Sequence, residues 1–165
     1  RRENPAGNGR VLPMAFLSSM NIVASGLTAQ QLRLDVVGEN VTNSTTTRVE
    51  NGEGAYRRKM VVFEAKTGRD GFRRAMARAS TGMVPSGQAA GGVRVTQIVE
   101  DPSPMKLVYD PSHPDANEDG YVEMPNVDMV KEIADAMAAS QAYSANVTMF
   151  NTVKTVVSDG LQIGK

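Results

Sequence analysis

The sequence predicts an α+β chain: long N- and C-terminal α-helices packed as a coiled-coil-like pair, with a small β-rich domain inserted between them. Three observations predict it. From Phe16 the apolar positions run Phe16, Met20, Val23, Leu27, Leu34, Val37 and Val41, with Gln30 as the polar break. From Ile133 they run Ile133, Ala136, Tyr143, Val147, Phe150, Val157 and Leu161, with Ser140 and Lys154 as breaks. Alternating steps of three and four are the a/d seam of helices that pack lengthwise on other helices. Between the two seams the period changes to short β-branched and aromatic runs, which read as strands.

Taken in order, residues 1–13 are polar, carry Gly, Asn and Pro without a period, and are expected to be a disordered tail. Met14 looks like a natural start. Residues 14–47 hold the first helix, from about Ser18 to Asn43, roughly 40 Å long at 1.5 Å per residue. The run Asn43-Ser44-Thr45-Thr46-Thr47 should stop it, because short hydroxyl and amide side chains compete for backbone hydrogen bonds. Residues 48–125 form the β-rich part. Its candidate strands are Ala55 to Lys66, Val93 to Val99, Met105 to Tyr109 and Gly120 to Met124, and a mobile loop is expected at about 68–92. Residues 126–165 hold the last helix, with Asn126 as N-cap, Asp128 near its positive end and Gly160 marking its end. A second stripe, Ala139, Ala142, Met149, Val153 and Val156, lies beside the first. Two stripes on one helix imply more than one neighbour.

Composition narrows the function classes. The 165 residues balance 18 basic against 18 acidic side chains, which argues against a polyanion binder held by bulk charge. Aromatics are 5% of the chain and Trp is absent, so one large core is hard to build, whereas ten Met suit adaptable helix packing. No Cys is present, which removes disulfides, thiol catalysis and Cys-ligated metals from these residues. No apolar run approaches the roughly 20 residues that span a bilayer, and 14–29 reads as an amphipathic helix rather than a signal peptide. No membrane insertion is expected.

Candidate chemistry is sparse. Asp115 to Gly120 matches the opening of a calcium loop, but the twelfth position is Asn126 rather than a bidentate Glu, and Pro114 precedes it. The plainer reading is an acidic turn. His113 is the sole histidine; without a second His or a Cys it makes no typical zinc site, and it reads as a turn residue bonded to its neighbours. No Gly-x-Ser-x-Gly elbow presents a serine near Asp110. Arg69, Arg73, Arg74 and Arg78 could share a basic face, but only Phe72 accompanies them, so a solvated or interfacial set is favoured over nucleic-acid binding. No enzyme, metal or cofactor is expected.

Four blocks resemble the flagellar basal-body rod proteins of bacteria. They are Ser25-Gly26-Leu27-Thr28-Ala29-Gln30-Gln31-Leu32-Arg33-Leu34-Asp35 with Asn40-Val41-Thr42-Asn43; Tyr56-Arg57-Arg58-Lys59 ahead of Val61-Val62-Phe63-Glu64; Gly92 to Val95, Ile98 to Pro104, Tyr109 to Ala116, Gly120 to Val122 and Pro125 to Val127; and Ser140 to Tyr143 with Ala145 to Val147, ending in Leu161 to Lys165. The third block narrows the resemblance to the proximal rod. Ala55 stands where that family commonly has Pro, and Thr42 where it commonly has Ala.

The resemblance implies a structural subunit of the proximal rod, the drive shaft that crosses the periplasm. The helices of 14–47 and 126–165 would form the inner layer of a helically stacked tube that lines the export channel, and 48–125 the outer layer. Export by the flagellar type III system would need no cleaved signal. Implied partners are other copies of the chain, the other rod proteins, proximal and distal, and the base and export components. The expected assembly interface is Met20, Val23, Leu27, Leu34, Val37 and Val41 on the first helix, with Ile133, Met137, Tyr143, Val147, Phe150, Val153 and Leu161 on the last. The alternative is a non-polymerising, soluble coiled-coil adaptor that binds a single partner.

Overall fold

The computed structural model describes residues 11–49, 54–66 and 91–163. In chain order its elements are α1 (Val11–Thr42), β1 (Lys59–Ala65), β2 (Val93–Glu100), β3 (Lys106–Tyr109), β4 (Tyr121–Met124) and α2 (Met129–Ile163). Helix, four short strands, helix is the α+β order that the sequence predicts. Residues 1–10 of the expected tail and 68–90 of the expected loop, with its four arginines, lie outside the described residues.

The helix ends differ from expectation in ways that local chemistry explains. α1 opens at Val11, so residues 11–13 are helical rather than tail. Pro13 is tolerated there because the first-turn N–H groups have no intrahelical acceptor to lose. At its other end, Thr42 Oγ1 and Asn43 Nδ2 donate to the carbonyls of Gly38 and Glu39. The N–H of Thr46 then turns back to Asn43 O. α2 begins at Met129 and its N-cap is Asp128, not Asn126: Asp128 Oδ1 accepts from Val130 N at 3.0 Å. Asn126 is occupied elsewhere, its Nδ2 donating to the carbonyls of Asp101 and Ser103. α2 also continues through Gly160, which does not adopt the left-handed conformation of a helix stop.

The strands form two ribbons. β1 pairs with β2. Bonds between Lys66 and Gly91–Gly92 at one end and from Asp101 N to Arg58 O at the other make that pairing antiparallel. β3 pairs antiparallel with β4 in the register Lys106↔Met124, Leu107↔Glu123, Val108↔Val122, Tyr109↔Tyr121. Alternation puts Val108 and Val122 on one face and Leu107, Tyr109 and Tyr121 on the other. Gly120 closes the ribbon at φ +81°, and a Cβ there would stand 3.0 Å from the Tyr109 ring.

The chain forms two compact units. One comprises residues 30–63 and 95–142. Its apolar core is Val36, Val37, Ala55, Tyr56, Val122, Val127 and Ala139, and its buried polar residues are Asn40 and Glu132. The other holds the described residues of 1–29, 64–94 and 143–165. There Ser25 Oγ donates to Ile22 O and accepts from Val93 N at 3.0 Å, pinning the head of β2 to α1. Gly92 lies at φ +105°, and a Cβ on it would meet Ser25 Oγ at 2.1 Å.

That close approach makes Gly92 irreplaceable by Ala. The variant Gly92→Ala should lose about 2–4 kcal/mol in urea unfolding, through backbone strain and displacement of Ser25. Gly91→Ala, whose Cβ meets nothing within 4 Å, should stay within about 0.5 kcal/mol of the parent. Equal stability of the two variants would contradict the pinned contact.

Candidate assembly surface

The face that α1 buries is not the seam its apolar residues predict. Ser25, Ala29, Val36 and Asn40 are buried and recur at helical spacing. Leu34 lies about 140° around the helix from Ala29 at 100° per residue. Met20, Val23, Leu27, Leu34 and Val41 are only half-buried, and of the predicted first-helix set Val37 alone is buried. Gln30, the polar break in that seam, has Oε1 enclosed without a partner in the described structure. An unmade bond of this kind costs roughly 1–3 kcal/mol.

On α2 the inward positions are Glu132, Ala136, Ala139, Tyr143, Asn146, Phe150, Val153 and Val157, all buried or half-buried. The steps again alternate three and four. Four members of the predicted stripe, Ala136, Tyr143, Phe150 and Val157, belong to this row, and so does Val153. Ile133, Met137 and Val147 do not: they are 52%, 59% and 38% exposed. Leu161 lies outside the described side chains. The structure therefore divides the predicted surface into an inward set and an exposed set, the latter augmented by Val130 at 76% exposure.

A polar clasp, not an apolar seam, supplies the hydrogen bonds that join the helices in the unit formed by 30–63 and 95–142. Asn40 Nδ2 donates to Glu132 Oε2 at 3.0 Å, and Arg33 Nη2 to Asp135 Oδ1 at 2.8 Å. Since 40 meets 132 and 33 meets 135, the helices run antiparallel there. Asn40 also ties in the strand: its Nδ2 donates to Lys59 O, and its Oδ1 accepts from Lys59 N and from the Tyr56 hydroxyl, each at 2.9 Å. Arg58 Nε donates to Glu132 Oε1 at 2.6 Å, and its Nη atoms reach Asp135 at 3.2 Å and Asp101 at 3.5 Å. The Arg58 N–H goes to Asn126 Oδ1 at 2.8 Å. Lys59 Nζ pairs with Glu39 on the surface.

Glu132 is fully buried, so its charge must be met inside the protein. Burial pulls the Arg58 guanidinium down, but the Glu132 hydrogen bond and the charges of Glu132, Asp135 and Asp101 together hold it above its ordinary value. Removing one partner from such a pair costs roughly 3–5 kcal/mol, because the other stays buried and unpaired. Sequence reasoning passed over these residues. The signal was present: Asn40 falls on the same face as Ala29 and Val36, and Glu132 occupies a core position of a row rich in small residues.

The other candidates resolve into turn chemistry. Asp115 pairs with Arg48 and accepts from Thr47 Oγ1 at 2.9 Å. Asn117 Oδ1 accepts from the N–H groups of Asp119 and Tyr121. His113 Nδ1 accepts from Asp115 N at 3.1 Å. Asp110 accepts from the Ser112 hydroxyl and N–H, which hold its carboxyl below the usual range. Among the described residues no cluster of His, Cys, Asp or Glu is arranged to hold a metal ion, and no helix is long and apolar enough to cross a membrane.

Tyr56 gives the clasp a pH signature. Burial, then the negative charges of Glu39, Glu132 and Glu100, push its hydroxyl up from 10.0 to about 12. A phenol raised on folding contributes stability that is complete below the unfolded value and is lost as pH climbs from 10 to about 12. Tyr56→Phe should flatten this alkaline loss, on the order of 2 kcal/mol, and delete the phenolate absorbance that appears near pH 12. Parent and variant with the same alkaline profile would contradict the assignment.

Known proteins match this chain over most of its length. Residues 118–163 match the family model described as the flagellar basal body rod FlgEFG protein C-terminal region. The flagellar basal-body rod protein FlgC of Bacillus subtilis is 45% identical over 155 residues, covering 92% of this chain and 100% of that protein. FlgC of Borreliella burgdorferi is 40% identical, over 91% of this chain and 98% of that one. FlgC of Salmonella typhimurium is 38% identical, over 92% and 100%. The residues of the clasp lie inside the span that these relatives share, and the chain belongs to the flagellar basal-body rod protein family, on the FlgC branch.

Proposed function

We propose that this chain is a structural subunit of the flagellar proximal rod, without catalytic activity. The observation that carries this reading is the match to proteins named FlgC over most of the chain, at 45% identity across 92% of it for the Bacillus subtilis protein. The exposed and half-buried apolar positions support it physically. An open helical stack needs two different faces of one subunit to meet, and helices that keep apolar residues outside their own core can provide them.

In this reading α1 and α2 complete coiled-coil-like seams when neighbours arrive, lining the export channel. Residues 48–125 form the outer layer. The neighbours are other copies of the chain, the other proximal and distal rod proteins, and the base and export components. The subunit reaches the rod through the type III apparatus, stands in the periplasm and passes torque toward the hook. Met20, Val23, Leu27, Leu34 and Val41, with Ile133, Met137 and Val147, are the positions that gain cover on assembly.

Swimming tests the reading directly. In cells that lack their own copy of this subunit, the parent chain should restore motility. Val147→Asp alters an exposed side chain, so it should keep the circular dichroism of the parent yet abolish swimming. Full motility with Val147→Asp, or none with the parent, would contradict it.

A further inference from the structure

Two apolar patches of the unit formed by 30–63 and 95–142 are exposed among the described residues. The first is the outer face of the β3–β4 ribbon, where Leu107 is 64%, Tyr109 65% and Tyr121 44% exposed. Tyr109 and Tyr121 stand edge to face at 5.2 Å and present a stiff aromatic corner. The second is the ridge Val130, Ile133 and Met137 on the first turns of α2, one stripe at helical spacing. Ala134 and Ala138 are exposed next to it, so a partner's backbone can come close.

Charge distinguishes the patches. Residues 110–123 hold five carboxylates, of which Asp115 is paired with Arg48, and no Lys or Arg, and Glu123 shares the ribbon face with Leu107 as its cross-strand partner. Beside the ridge, Glu132 and Asp135 are neutralised by Arg58 and Arg33, and Asp128 is engaged as the helix cap. Lys131 is exposed and enters no ion pair among those found in the described residues. One patch is therefore rimmed by negative charge and the other by a spare cation.

We infer that these are the two halves of a head-to-tail contact between copies of this chain: the Leu107–Tyr109–Tyr121 face of one copy seats on the Val130–Ile133–Met137 ridge of the next, with Glu123 against Lys131. This rests on the rod-subunit reading and adds to it a contact outside the expected helical seams. Each patch offers on the order of 300 Å², which places a single contact in the weak, transient class. Different patches meeting head to tail leave one of each free at every stage, which is the condition for a chain of copies to grow.

The absence of native cysteine makes the contact directly testable. Tyr109→Cys and Ile133→Cys are placed in separate proteins, checked by circular dichroism, mixed and oxidised. The mixed pair should form disulfide dimers at least about tenfold faster than Tyr109→Cys mixed with Gln97→Cys, an exposed position on β2 rather than on α2. Leu107→Cys with Met137→Cys repeats the test with a second pair. Adding Lys131→Glu to the Ile133→Cys protein should slow cross-linking about two- to fivefold, and Glu123→Lys on its partner should restore it. Equal rates for ridge and off-ridge pairs, or no rescue by the reversed charges, would overturn the contact. Neither result bears on the rod reading, which the swimming assay reports separately.

Discussion

The described fold depends on one constraint: a carboxylate, Glu132, sits where no water reaches it. An ion in that position is tolerable only when opposite charge and hydrogen bonds surround it. Arg58 and Asn40 provide both, from a segment just before β1 and from the far end of α1. The antiparallel order of the helices, the height of β1 beside them and the path of the chain into α2 are thereby fixed together. An apolar seam of similar size would tolerate sliding by a turn; a buried carboxylate with designated partners does not. Specifying register is the best-attested use of buried polar groups.

Around that centre the polar groups form a closed set. Asn40 uses both ends of its amide, and Asn126 does the same between Arg58 N and the carbonyls of Asp101 and Ser103. Each bond joins segments far apart in sequence. This explains in physical terms why two asparagines and an arginine fall inside the rod-like motif blocks, where the apolar periodicity gives them no part. With register fixed by the clasp, the apolar residues outside the core are free to serve neighbours.

Much of this was legible in the sequence because it is periodic. The two described helices and four described strands follow from spacing and β-branched composition, and the stop of α1 at its Ser and Thr run follows from side-chain competition for the backbone. The ends were less legible. Asp128 rather than Asn126 caps α2 because Asn126 is claimed by partners distant in sequence, which no local pattern reveals. The site was partly legible. Periodicity places Tyr143, Phe150 and Val153 with Ile133 and Val147 in one expected assembly set, since an exposed apolar stripe and a buried one look alike in sequence; the structure half-buries the first three and exposes the last two. It overlooked Glu132 and Asn40 because a polar residue on a core face reads as an interruption. The close approach of Gly92 to Ser25, a tertiary contact of residues distant in sequence, was equally invisible.

Amide hydrogen exchange on the isolated chain measures the clasp most directly. The N–H groups of Arg58, Lys59 and Asp101 are held by Asn126, Asn40 and Arg58 O respectively. They should exchange together and slowly, at a rate set by cooperative opening of their whole unit. If these amides exchange as fast as that of Ser112 in the exposed turn while β3 and β4 stay protected, the clasp does not organise this unit and the account fails.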